Sequence, residues 1–114
     1  MKKTVTIKEN RTFHRIYKRG RSAVTPFLVL YCRPNGQDHN RLGVTVSTKL
    51  GGAVVRNRAR RRLREVYRLA QPELKQGYDV VVVARGRSVG GPWPKLTAAF
   101  YRACGQVGLM KEAR

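Results

Sequence analysis

The stretch VRNRARRRLREVYRLA, Val55 to Ala70, limits the possible folds more than any other part of the chain. Apolar residues recur at Val55, Ala59, Leu63, Val66 and Ala70. Steps of three and four place them on one stripe of an α-helix. Arginine fills Arg56, Arg58, Arg60, Arg61, Arg62, Arg64 and Arg68, and the only acid is Glu65. On a helical wheel Arg60, Arg61, Arg64 and Arg68, with Asn57, fall opposite the stripe, and Arg56 and Arg62 flank it. The rest of the chain must therefore supply a core for one face and leave the other open. A merely solvated face would mix signs and use i,i+4 acid–base pairs. One glutamate cannot neutralise this face, and the resulting repulsion is relieved by a polyanion. Guanidinium forks match phosphate bidentately and stack on bases, as ammonium groups do not.

The whole chain agrees. Twenty-five Lys+Arg stand against six Asp+Glu, for a formal net charge of +19 over 114 residues. A bilayer surface is the competing polyanion, but no apolar run is long enough to span one. The basic stretch also lacks bulky apolar residues for insertion. Nucleic acid is the favoured partner. The opening MKKTVTIKEN has no apolar segment of a secretion signal. Cys32 and Cys104 lie far apart in apolar contexts without metal-ligand spacing, and read as buried free thiols. A cytoplasmic protein is expected.

Around the arginine stretch, residues 1–9 read as extended and poorly anchored. Asn10 is a candidate N-cap for a helix to Arg19, with Gly20 as its C′ residue. Phe13, Ile16 and Tyr17 share one face of it, between cations. Ile16 reads as core. Phe13 and Tyr17 read either as core or as a stacking surface for unpaired bases. Ser22 to Pro26 reads as a connector, and Phe27 to Cys32 as a strand. Asn35-Gly36 is a hairpin-type turn signal, with Arg41 to Ser47 as the returning strand. There Leu42, Val44 and Val46 would face one way, and Gly43, Thr45 and Ser47 the other. Tyr78 to Ala84, YDVVVVA, has the continuous apolar pattern of a strand covered on both faces. Arg85 to Pro94 reads as a loop, with Trp93 as a packing anchor. Lys95 to Val107 reads as a last helix, and the tail LMKEAR as frayed.

The expected fold is α+β. It is a small two-layer α/β sandwich, a mixed sheet packed with helices in the order αββαβα, forming one domain over residues 1–114. Its radius of gyration should be about 13 Å.

No hydrolytic site emerges. Phosphodiester hydrolysis uses clustered carboxylates holding metal, or histidines for acid–base work. Glu9, Asp38, Glu65, Glu73, Asp79 and Glu112 are scattered, and His14 and His39, on a basic helix and in a loop, are expected to lack a nearby acid partner. No catalytic residue and no protein-held metal is expected.

The segment GGAVVRNRARRRLRE, preceded by RLGVTVSTKL, closely resembles the signature of the bacterial ribonuclease P protein subunit with its Arg-Asn-Arg motif. The resemblance runs from about Phe13 to Ala84. It implies an accessory subunit of an endoribonuclease that removes the 5′ leader from precursor tRNA. The RNA subunit is the catalyst and uses Mg2+ bound by RNA and substrate. The partners implied are the catalytic RNA and precursor tRNA, with no membrane and no required protein partner. By position, Arg56, Asn57, Arg58, Arg60, Arg61 and Arg64 match the region that contacts catalytic RNA. Arg68 extends that face, and Lys49 matches the second lysine of a Ser-Lys-Lys element. Thr48 stands where the first lysine is usual. Phe13, Tyr17 and Tyr31 match aromatic positions of the cleft that holds the leader. The βαβ unit formed by strand 41–47, the arginine helix and strand 78–84 is left-handed in this family, against the general rule for such crossovers. The competing reading is a non-enzymatic RNA-binding module such as a ribosomal protein or RNA chaperone.

Overall fold

The structure is a computed structural model describing residues 4–111. Its strands are β1 (Val5–Thr6), β2 (Arg21–Val24), β3 (Leu28–Pro34), β4 (Arg41–Thr45) and β5 (Tyr78–Ala84). Its helices are α1 (Asn10–Arg19), α2 (Ala53–Ala70), a single turn α3 (Arg87–Gly90) and α4 (Trp93–Gln106). The sheet order is β1-β4-β5-β3-β2, and the Cα radius of gyration is 13.2 Å.

Strand β5 lies at the centre of the sheet, and its continuous apolar run is covered on both faces. Val80 and Val82 point into the larger core, and Val81 points into a smaller cluster on the opposite face. All three are fully buried. The larger core takes the inner stripes of α2 and α4, including Leu63, Val66, Leu96 and Phe100. The smaller cluster is closed by Ile16 of α1 and by Ile7. The helices thus divide between both faces, and α1 sits on the face away from the arginine helix.

The chain pairs differently from the sequence expectation around Asn35-Gly36. A turn forms there, with Gly36 at φ 72°. Yet β3 and β4 do not pair with each other. Strand β5 inserts between them, antiparallel to β3 and parallel to β4. The loop spans that inserted strand because Asn35 ties it down. The Asn35 backbone N–H donates to Gly77 O at 2.9 Å, and its side chain donates to Asp79 Oδ1 at 3.1 Å. The real hairpin is β2–β3, in place of the connector expected from Ser22. The buried Thr25 Oγ1 accepts from the backbone N–H groups of Phe27 and Leu28, tightening that turn. Strand β2 carries no readable pattern because only Ala23 of its four residues is buried.

Other boundaries shift for local reasons. Val5 and Ile7 donate to Asn40 O and Leu42 O, so the N-terminal segment is anchored rather than loose. Residues 1–3 of that segment lie outside the described residues. The N-cap of α1 is Glu9, not Asn10, with no side-chain cap bond. Gly20 is extended, at φ −79°, so no left-handed cap forms. Glycine is needed there because a Cβ would stand 2.6 Å from Ile16 O and 3.0 Å from Cys32 O. Helix α4 begins earlier than Lys95, with Pro94 in its first turn, where a missing N–H costs nothing. The tail is held as far as it is described: Leu109 is fully buried and Met110 bridges to Leu74. The remainder of the expected fraying, 112–114, lies outside the described residues.

A polar knot fastens the end of the sheet where β5 begins. Buried Asn40 donates to Lys75 O at 2.9 Å and accepts from the Tyr78 N–H at 2.9 Å. Asp79, also buried, takes Arg41 bidentately at 2.7 and 2.6 Å. That pairing raises the Arg41 pKa, the hydrogen bond to Asp79 outweighing burial.

Candidate nucleic-acid interface

Helix α2 buries Ala59, Leu63, Val66, Tyr67 and Ala70. The apolar stripe docks as expected, with half-buried Val55 at its start. Tyr67 joins it, although the spacing argument passes it over; its hydroxyl hydrogen-bonds with Thr4 Oγ1 at 2.9 Å. Docking this stripe leaves Asn57, Arg58, Arg61, Arg64 and Arg68 exposed, with Arg56 and Arg60 half-buried. Asn57, Arg60, Arg61, Arg64, Glu65 and Arg68 line an open groove of ≈ 390 Å³.

The arginines of this face are not equivalent. Arg68 grips Glu65 with two hydrogen bonds, at 2.8 and 2.9 Å. This pairing pulls the Glu65 carboxyl below its usual range and raises the Arg68 guanidinium. Arg60 donates to Asn57 Oδ1 at 2.9 Å, which spreads the two side chains along the groove wall. Arg58, Arg61 and Arg64 have no acid partner among the described residues. They form the uncompensated part of the face. Arg56 carries a buried Nε with no partner among the described residues, an orphan donor at the edge of the same face.

Arg62 has a different task. Its guanidinium turns away from the groove and donates to Val89 O at 2.7 Å and Gly91 O at 2.6 Å. It lies over the Trp93 ring, 5.8 Å from the centroid. Burial and Arg58 lower its pKa. Sequence places Arg62 at the border of the stripe but cannot reveal that it straps α3 and the start of α4 to α2. Trp93 packs against the core as expected. Lys49 is exposed on a single 3-10 turn, Thr48–Leu50, and Ser47 Oγ accepts from its backbone N–H. Gly51 follows at φ 145°, reversing the chain into α2.

The second group of expected site residues meets on the opposite face. Phe13 and Tyr17 stand one turn apart on α1, ring centroids 6.4 Å apart. Tyr31, on β3, meets Tyr17 edge-on at 4.8 Å. Tyr17 is 36% exposed, while Phe13 and Tyr31 are half-buried against Ile7, Ile16 and Val81. The rings pack as part of a small core, while Tyr17 stays partly exposed. Gly43 makes the arrangement possible. A Cβ there would lie 2.5 Å from Phe13 Cε1, so the ring occupies the space the glycine leaves.

His39 does have an acid partner, against the sequence expectation: the neighbouring Asp38 Oδ1 lies 3.0 Å from its Nδ1. Among the described residues no group of three or more His, Cys, Asp or Glu comes together to hold a metal ion. No helix among them is long and apolar enough to cross a membrane.

Comparison with known proteins fits this geometry. The family model described as Ribonuclease P matches residues 1–108. The ribonuclease P protein component of Natranaerobius thermophilus is 41% identical over 102 residues, 90% of this chain and 89% of that protein. The component of Caldanaerobacter subterraneus is 47% identical over 85 residues, 75% of this chain and 73% of that protein. The structure of the Staphylococcus aureus RNase P protein superposes with a TM-score of 0.83 at 32% identity, covering 96% of this chain and 100% of that one. The Thermotoga maritima RNase P protein gives 0.76 at 30% identity, covering 85% and 92%. The fold, the arginine helix and these relatives together make the chain a member of the ribonuclease P protein family.

Proposed function

We propose that this chain is the protein subunit of a ribonuclease P ribonucleoprotein, an endoribonuclease that removes the 5′ leader of precursor tRNA. The observation that carries the reading is the arginine face of α2, where Arg58, Arg61 and Arg64 lack acid partners on a family-matching scaffold. In this reading the chain acts as one RNA-binding unit in the cytoplasm and needs no protein partner. Arg56, Asn57, Arg58, Arg60, Arg61, Arg64 and Arg68, with Lys49, hold phosphates of the catalytic RNA. Arg68 must exchange Glu65 for phosphate to do so. Phe13, Tyr17 and Tyr31 line the path of the unpaired leader and offer it stacking surface for its bases.

The chain supplies binding and orientation, and the RNA supplies the reacting groups. Mg2+ is held by RNA and substrate. The protein's cations assist by lowering phosphate repulsion, which lets the RNA fold and bind metal at lower magnesium.

The test is a salt titration. Each phosphate bound by a cation releases counterions, so removing one such cation flattens the plot of log affinity against log salt by about one unit. Arg61→Ala and Arg64→Ala should weaken binding to the catalytic RNA, flatten that slope and leave the melting temperature nearly unchanged. Unchanged slopes in both variants would remove this face from the interface.

A further inference from the structure

A second cluster of unpaired cations lies at the end of the sheet where β5 begins, made of residues to which the proposed function gives no role. Arg19 ends α1, Arg21 opens β2, Arg33 lies near the end of β3, and Lys75 follows α2. These sites are distant in sequence, yet all four line one cleft of ≈ 450 Å³ with Cys32, Pro34, Tyr78, Val107 and Gly108. Strands β4 and β5 are parallel, and α2 starts beyond the far end of β4 and finishes before β5 begins. The cleft therefore sits beyond the C-terminal end of α2. The arginine face runs along the helix from Asn57 to Arg68, about 17 Å at 1.5 Å per residue, and the cleft lies past its C-terminal end.

None of these four side chains has an acid partner among the described residues. The nearest buried acid, Asp79, is committed to Arg41 and Asn35. The cleft is held open rather than collapsed. Its floor is the wall of the main core, with Cys32 and Val107 buried in it. The polar knot of Asn40 fixes Lys75 O and the start of β5 beside it. Gly108, at φ 76°, turns the chain after α4, and a Cβ there would lie 3.4 Å from the Arg21 guanidinium. Four converging cations on a fixed frame repel one another unless an anion neutralises them. The half-buried Tyr78 ring adds a flat wall at the rim.

We propose that this cleft is a second phosphate-binding site, beyond the C-terminal end of α2, which takes the phosphodiester backbone of an RNA strand. It rests on the reading of the chain as an RNA-binding subunit. The occupant is either a second segment of the catalytic RNA or the precursor tRNA. The chemistry of the site is the same for both.

The experiment uses the full chain with Arg21→Ala and Arg33→Ala combined, and separately Lys75→Ala. Affinities are measured across a potassium chloride series for three probes: the catalytic RNA, and the reconstituted holoenzyme with precursor or with mature tRNA. A slope flattened by about two units in the double variant, and by about one for Lys75→Ala, is expected. An effect on free catalytic RNA assigns the cleft to that RNA. An effect on the tRNA probes alone assigns it to substrate. Arg21→Lys with Arg33→Lys should keep the wild-type slope, and serves as the folded comparison if the alanine variant melts early. Arg61→Ala with Arg64→Ala is the parallel control. If the control flattens the slope and the cleft variants leave all three unchanged, the second site is refuted while the subunit assignment stands. If neither set changes any slope, the RNA-binding reading itself fails.

Discussion

Gly43→Ala is the smallest change that tests the aromatic face. The added Cβ would stand 2.5 Å from Phe13 Cε1 and 2.6 Å from Cζ. Ordinary carbon neighbours need about 3.5–4.0 Å, so the ring must retreat by about 1 Å. Phe13 is packed on Ile16 and Val81 and cannot slide freely. Overpacking of this kind costs about 1–3 kcal/mol. For a chain of this size that lowers Tm by roughly 5 °C per kcal/mol. The displaced ring also leaves its place beside Tyr17, and the leader loses one stacking surface. That is about 1–3 kcal/mol per base, or roughly a 5- to 150-fold weaker affinity for precursor tRNA. Mature tRNA, which has no leader, should bind as before. The measurement is holoenzyme affinity for both tRNAs, with melts of the free protein. Adding Phe13→Ala removes the clash, so the double variant should be less destabilised than the sum of the two single variants. A silent Gly43→Ala, in both the melt and precursor binding, would refute the packing of Phe13 on Gly43. Equal losses for the two tRNAs would separate these aromatics from the leader.

Tyr17→Ala should cost little stability, because Tyr17 is 36% exposed, and should weaken precursor but not mature tRNA binding in the same assay. Arg62→Ala should lower stability by about 2 kcal/mol, since charge-assisted bonds to two carbonyls disappear, and should leave the salt slope for catalytic RNA intact. Chemical denaturation beside RNA titration checks that contrast with Arg61 and Arg64. Asp79→Asn removes the carboxylate from half-buried Arg41, which should cost about 2 kcal/mol and show as a lower denaturation midpoint. Burial pushes the thiols of Cys32 and Cys104 from 9.0 to about 12. Alkylation at pH 8 should therefore proceed only as fast as the chain unfolds. Because the folded thiols resist ionisation, their contribution to stability is present below pH 9.0 and is lost as the pH rises towards about 12, which a pH series of melts reads.

Long periodic elements are legible in the chain alone. The stripe of α2 and the apolar run of β5 each carry enough residues for their burial pattern to exclude other structures. Strands β1 and β2 are not, because two or four residues, with one inward side chain in β2, make no period. The insertion of β5 between β3 and β4 is a long-range pairing that no local turn signal encodes. Asn35 looks like a hairpin residue, but it acts by binding Gly77 O and Asp79 across the inserted strand. In the candidate site, the arginine face follows from spacing, and the aromatic positions and Lys49 rest on family resemblance. Spacing cannot say which arginines are engaged. Arg62 turns out to be a strap and Arg68 an ion-pair partner, because their fates depend on Val89, Gly91, Trp93 and the rotamer of Glu65. The cleft at Arg19, Arg21, Arg33 and Lys75 is invisible in the sequence for the same reason, since its cations converge only through the sheet order.

The most direct test of the central claim is reconstitution at low magnesium. Precursor tRNA cleavage is measured with the protein alone, the catalytic RNA alone, the two together, and the RNA with the Arg61→Ala, Arg64→Ala protein. The account predicts no cleavage by RNA-free protein and little by RNA alone at that magnesium. It predicts cleavage at the mature 5′ end by the pair, and a loss with the double variant that higher protein concentration restores. Cleavage by RNA-free protein, or a pair no faster than the RNA alone, would contradict it.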